Sequence, residues 1–303
     1  MQYARPLPEH PLFIDLPPYA FALLAAFLFA VGSQLQAIGL ATIDSRNGTA
    51  IGIATSALCF WLVAPWFLET RHFANTAALL FIGIGLIRPA LSANLGVAAI
   101  RHLGPTLAGT LSSMSPFFGV ALGVLWLGEE LTWAVAGGTV GIVAAVVMLS
   151  QSGARIAGGW PLWALALPIG AAAIRSFGHA VNKIGMISIP DPYFATLLGF
   201  STSALVTIGV QSARGEFGKG LTLRGPGPVW FMVGGTMFAA AVLSLNHALM
   251  RGDIVTVTPI VAATPVFTLL LSIVVFRREK ITVRTLLALA LVVPAVVAVV
   301  LWG

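Results

Sequence analysis

Three cations stand inside otherwise apolar stretches of the chain: Arg88, Arg175 and Lys183. The acidic residues Glu9, Asp15, Asp44, Glu69, Glu129, Glu130, Asp191, Glu216, Asp253 and Glu279 all fall in tails or in the polar joints between such stretches. At the centre of a bilayer a cation costs about 2.5–3.5 kcal/mol on insertion scales, so it needs water, backbone carbonyls or an anion. With no acid at that depth, the chemistry open to these side chains is anion recognition in a wet cavity. Polar neighbours share their faces. Arg175, His179 and Asn182 are spaced i, i+4, i+7 and form one helical stripe. Arg88, Ser92 and Asn94 occupy about one side of another helix, after a kink expected at Pro89. Gln34 and Gln36, then Asn246 and His247, add amides and an imidazole.

Each of these residues also has a structural reading. A guanidinium can brace helix carbonyls, an amide can bond one helix to the next, and Lys183, near a helix end, can snorkel to the surface. Pro65, Pro89, Pro116, Pro168, Pro259, Pro265 and Pro294 interrupt apolar runs. Such breaks release backbone groups that only a cavity or a neighbour can satisfy. Pro116 and Pro265 are the candidate hinges, with Pro89 as a third gating position.

The elements that carry these side chains must be membrane helices. Only 9% of the 303 residues are charged and mean hydropathy is +0.97, whereas a soluble domain carries about 25% charge. The net charge of +6 is too scattered for a nucleic-acid surface. Cys59 stands alone, which excludes an internal disulfide and a cysteine metal cluster. A spanning helix needs about 20 apolar residues, and cutting at polar or Gly/Pro clusters gives ten helices: 18–41, 48–68, 74–99, 104–127, 132–151, 160–187, 192–213, 226–250, 254–276 and 282–302. The first run is too long for a signal peptide and is expected to be retained. Tryptophans gather near predicted helix ends, where their rings suit the headgroup layer; Trp61 is the exception and is expected to pack inside.

The chain also repeats itself. Pro116, Phe118, Leu122 and Glu130 fall on Pro265, Phe267, Leu271 and Glu279 at an offset of 149, and Gly32, Ile38 and Gly39 fall on Gly178, Ile184 and Gly185 at 146. The expected organisation is a tail (1–17), a five-helix repeat (18–151), a linker (152–159) and a second five-helix repeat (160–303). Five helices per half invert the second copy, which agrees with opposite charge in the equivalent loops Gly128–Leu131 and Arg277–Lys280. Alternate loops collect Arg46, Arg101, Arg155, Arg214, Lys219, Arg224, Arg277, Arg278, Lys280 and Arg284, against Arg5, Arg71 and Arg251 on the other side. The positive-inside rule therefore puts both termini outside the cytoplasm.

The two matched segments, Ser115-Pro116 to Leu127-Gly128-Glu129 and Thr264-Pro265 to Glu279, resemble the drug/metabolite transporter superfamily in its ten-helix EamA-type members. The first ends in Leu-Gly-Glu-Glu-Leu-Thr-Trp, very like the family's helix-four end; the second departs from it, with Arg277-Arg278 in place of Leu-Gly. The resemblance covers residues 18–302. It implies an all-α membrane protein, with helices one to four and six to nine around a central cavity and an inverted pseudo-two-fold between the halves. Bacterial members export amino acids or related metabolites, and the aromatic-amino-acid exporters of the YddG type are the nearest in overall impression.

The expected function is a secondary transporter of the bacterial inner membrane. It exports small carboxylate-bearing metabolites by alternating access, as a monomer, and needs no cofactor or metal. Arg88 or Arg175 would hold the carboxylate, and Asn182, Asn94 and Gln34 would give hydrogen bonds. Phe117, Phe118 and Phe267 would wall the side chain. A proton-coupled drug exporter is the alternative, but it depends on a membrane carboxylate. A membrane-embedded enzyme lacks its motif, since no HExxH occurs. The absent carboxylate favours facilitated diffusion, with His179 as the remaining route to proton coupling. Topology is directly testable: a reporter active only outside the cytoplasm, fused after Gly303, should be active, and a cytoplasmic reporter there should stay dark.

Overall fold

The computed structural model describes residues 16–88, 90–150, 161–215, 225–277 and 282–302. Pro89, most of the tail, the linker 152–159 and the loop cations Lys219, Arg224, Arg278 and Lys280 lie outside them. The described regular structure is entirely helical: α1 Pro18–Gly39, α2 Ser45–Phe67, α3 Ala78–Ile87, α4 Ala90–Ser112, α5 Ser115–Leu122, α6 Trp133–Ser150, α7 Ala166–Ser188, α8 Pro192–Ala213, α9 Gly227–Arg251, α10 Ile254–Ala262, α11 Thr264–Val274 and α12 Val283–Trp302. A π turn, Gly123–Leu127, prolongs α5. Among the described residues eight helical spans are long and apolar enough to cross a bilayer, and two shorter apolar helices, Ala78–Ile87 and Trp133–Leu149, accompany them. This is a multi-pass membrane protein.

The helix boundaries correct the sequence reading in its middle. A reversal was expected between 99 and 104, yet α4 runs unbroken from Ala90 to Ser112. The breaks fall instead at Arg88 and at Ser113–Met114. A proline within a helix forfeits one N–H bond and need not end it, so Pro105 is a weaker stop signal than it looks. At the first turn, where the N–H has no partner to lose, proline is at home. Pro116 and Pro265 occupy that position in α5 and α11. The second break of this kind falls at Ala263, dividing the expected helix 254–276 into α10 and α11. Trp61 is also corrected: it is 47% exposed and its indole N–H reaches Ser201 Oγ across the outer surface at 2.9 Å.

Two ends of the bundle can be told apart by contacts. At the end where α1 begins, Arg251 donates to the Leu16 carbonyl at 3.2 Å, Thr132 Oγ1 to the Trp302 carbonyl at 3.0 Å, and His72 Nδ1 lies 3.2 Å from Asp191 Oδ2. At the opposite end the α1–α2 joint meets the start of α9, where Gly227 packs on Gly39 and Thr42, and Gln211 reaches the Arg46 carbonyl. The core is not shared evenly between them. The largest fully buried side chains, among them Phe81, Phe194, Leu197, Leu249, Ile254 and Val257, belong to the first end or to mid-depth. The end where the chain enters is the more densely packed of the two in large side chains.

Close packing between helices rests on glycine. A Cβ on Gly39 would lie 2.7 Å from the Phe231 ring, and one on Gly185 2.5 Å from that of Phe81. Small residues let membrane helices approach until such contacts form. At the end opposite the chain's entry, Asp44 caps α2 by accepting from Asn47 N at 3.0 Å. Burial alone would raise its carboxyl, but the bonds from Asn47 and the nearby Arg46 cation outweigh it and hold the group below its ordinary 3.8. A lowered folded value stabilises above the unfolded value and is lost as pH falls through the folded one. Asp44→Ala should therefore cost about 1 kcal/mol at neutral pH, and the difference from the parent in detergent thermal melts should shrink on acidification below the carboxylate range.

Candidate functional site

Arg88 closes α3 in an extended conformation, φ −115° and ψ 141°, because a residue before proline is pushed out of the helical region. The break exposes carbonyls in a region without bulk water. Ser203 of α8 meets them: its hydroxyl reaches the Arg88 carbonyl and, at 3.0 Å, that of Gly85. The Arg88 side chain crosses to α7 above Gly178, where a Cβ would lie 2.6 Å from Arg88 Cδ. Its Nη1 donates to the Arg175 carbonyl at 3.3 Å and stands 3.4 Å from His179 Nδ1. Arg175 Nη2 donates to the carbonyl of Ser112 at the end of α4, 3.2 Å away. Among the described residues neither guanidinium meets a carboxylate. The ion pairs there are Arg71 and His72 with Glu69, His72 with Asp191, and Lys183 with Glu129 and Asp253.

Lys183 is therefore not an unpaired membrane cation. Its Nζ lies 2.5 Å from Glu129 Oε1 and 3.3 Å from Asp253 Oδ1, and it donates to the Gly252 carbonyl at 2.8 Å. Glu129 also accepts from the Ile254 and Val255 N–H groups, each at 3.0 Å, and so caps the N-terminus of α10, where negative charge is favoured. Gly123 leaves room for it, since a Cβ there would lie 2.6 Å from Glu129 Oε2. The sequence places Glu129 in a joint; folding turns its carboxylate inward.

Two cavities lie at mid-depth. The first, about 500 Å³, has Arg175 and His179 on one wall, Phe29 and Phe238 among its apolar side chains, and a rim of Ser112, Ser113, Ser115, Thr258 and Thr264. Pro116 and Pro265 line it too. The second, about 370 Å³, has Arg88 with Gln36, Asn182, Thr196 and Asn246. Here Asn182 Nδ2 donates to Asn246 Oδ1 at 3.3 Å, and Asn246 Nδ2 to Thr196 Oγ1 at 2.9 Å. Most of each lining is apolar, with a few placed polar groups, as small-molecule sites usually are.

The fold brings together Arg88, Arg175, His179, Asn182 and Asn246, and leaves others aside. Gln34 donates to the Thr268 carbonyl at 2.9 Å, tying α1 to α11, and lines neither cavity. His247 is buried edge-on to Phe21, centroids 5.2 Å apart, also away from both cavities. Ser92 is buried on α4, which also carries Asn94; the side chain of Asn94, like Pro89, lies outside the described residues. The expected aromatic walls are elsewhere as well: Phe117 is 38% exposed, Phe118 lines an outer groove with Phe177, and Phe267 meets Phe27 edge-on. Phe29 and Phe238 take their place. The hydroxyl rim was missed, although Ser112-Ser113-Met114-Ser115 ahead of Pro116 is a polar run inside an apolar stretch. Ser115 and Ser176 lie 3.0 Å apart through their hydroxyls, joining α5 to α7.

A model of the EamA-like transporter family matches residues 16–151. A solved structure titled "Crystal structure of protein" superposes with a TM-score of 0.78 over 93% of this chain and 95% of its own, at 17% identity, a likeness of fold alone. No curated protein matches the chain.

The Lys183 cluster has a measurable weight. Removing one partner of a buried ion pair costs about 3–5 kcal/mol because the other charge is left stranded. Lys183→Met should approach the lower figure, since Glu129 keeps its two backbone donors, and a fall in detergent melting temperature larger than that of Asp253→Asn would register it.

Proposed function

From the EamA-like transporter family, to which residues 16–151 belong and which lies within the drug/metabolite transporter superfamily, we propose that this membrane transporter exports small carboxylate-bearing metabolites, most simply amino acids. The observation that carries the reading is Arg175: a guanidinium on the wall of a 500 Å³ cavity, bonded to a neutral carbonyl and meeting no carboxylate among the described residues. A ligand carboxylate would fit its planar fork, and charge-assisted bonds of this kind are about twice as strong as neutral ones. The serine and threonine rim would bond the ligand's remaining polar groups, and Phe29 and Phe238 would receive its apolar body. Arg88 supports the anion from the second cavity while bracing the α3–α4 break.

Alternating access between inverted halves is the mechanism we assign. Supporting it, Gly32 is to Phe238 what Gly178 is to Arg88: a Cβ on Gly32 would lie 2.7 Å from the Phe238 ring. Gly39 with Phe231 and Gly185 with Phe81 repeat the relation two turns further on. The glycines sit on α1 and α7, which run in opposite directions between the two ends. With the largest buried side chains gathered toward the Lys183–Glu129 end and the loop cations Arg46 and Arg214 at the other, we assign the cavity to the cytoplasmic side. Pro116 and Pro265, each following a mid-depth break and lining the cavity, are the hinge positions. The protein works as a monomer in a bacterial inner membrane, both termini outside the cytoplasm.

Proton-coupled drug export fits less well. The carboxylate nearest the membrane interior, Glu129, is already held by Lys183 and two N–H groups. In liposomes, replacing Arg88 and Arg175 together by Gln should abolish amino-acid counterflow while the protein still inserts; undiminished counterflow would reject the anion site.

A further inference from the structure

Among the described residues one side chain, Phe238, borders both cavities. It comes from the middle of α9 and is seated against α1, where the missing Cβ of Gly32 makes room for its ring. Phe29 tilts against it with centroids 5.5 Å apart. On the far side of the site the matching glycine slot, at Gly178, holds Arg88 instead. The two halves thus use one packing device to present different chemistry: a fixed cation from one, a flat apolar plate from the other.

We infer that Phe238 is the specificity-determining partition of this transporter, setting how large a substrate body the site admits. The inference rests on the transport reading. With the ring in place the first cavity offers about 500 Å³ and the second about 370 Å³. Each is near the lower part of the range usual for small-molecule sites, about 300–1,000 Å³. Joined, they make one chamber in which a ligand anchored at Arg175 extends its body toward Val242 and Phe200. The ring is well placed to control this because it has no polar atom to satisfy. Its displacement from the Gly32 slot breaks only apolar contacts, while Arg88 opposite is tied to a backbone carbonyl and to His179. Substrate selection by body size therefore falls to the aromatic side of the site, and substrate charge to the other.

The full chain with Cys59→Ser supplies the test. Val261→Cys places a thiol on the first cavity and Val242→Cys one on the second, both at apolar lining positions. A flexible bis-methanethiosulfonate should cross-link the pair slowly when Phe238 is present and several-fold faster after Phe238→Ala, with the rate of single-thiol modification unchanged. Phe238→Leu should fall between, and it serves in place of Ala if that variant does not fold. In counterflow the Ala variant should shift preference toward amino acids of larger side chain. Equal cross-linking with and without the ring overturns the partition. If the parent moves no amino acid, the substrate assignment fails, yet the cross-linking result still decides the role of Phe238.

Discussion

Backbone groups released inside a bilayer must be satisfied by the protein itself, since no water is there to do it. This constraint orders the centre of the molecule. Helices break at mid-depth at Arg88, at Ser113–Met114 and at Ala263, and side chains from other helices take up carbonyls near them. Ser203 meets those of Gly85 and Arg88, Arg175 that of Ser112, Gln34 that of Thr268. Among the described residues the guanidiniums of Arg88 and Arg175 are thereby held by neutral acceptors rather than by an acid.

Charge is handled differently at the end where the chain enters. There Lys183, Glu129 and Asp253 neutralise one another, and the carboxylate also finishes the first turn of α10. The cluster ties the joint after α5 in the first half to α7 and to the α9–α10 reversal in the second. Of its three members Glu129 is buried, Lys183 partly so, and Asp253 reaches the surface. At mid-depth, by contrast, the packing opens and the polar groups face a cavity.

How much of this could be read from the sequence depends on how local the cause is. The membrane class, the number of apolar segments and the starts of α1, α8 and α10 follow from composition and from prolines or caps beside each run. The stripe of Arg175, His179 and Asn182 follows from helical spacing, and the fold places Arg175 and His179 on one cavity and Asn182 on the next. The reversal expected between 99 and 104 was misplaced because proline alone does not say whether a helix ends or continues. Gln34 and His247 looked like ligand groups, but an amide or imidazole in an apolar run gives no sign of whether a carbonyl, a ring or a cavity lies opposite.

The sequence by itself determined that the chain spans a membrane repeatedly and that cations stand in apolar runs without local acids, because hydropathy and residue type are properties of the chain alone. Only the tertiary structure decided that Lys183 meets two carboxylates while Arg88 and Arg175 meet none among the described residues, and that Phe29 and Phe238 line the first cavity where Phe117 and Phe267 do not. Those outcomes depend on which helix faces which and at what height, and the electrostatic and steric consequences are set by distances of a few ångströms between residues far apart in sequence.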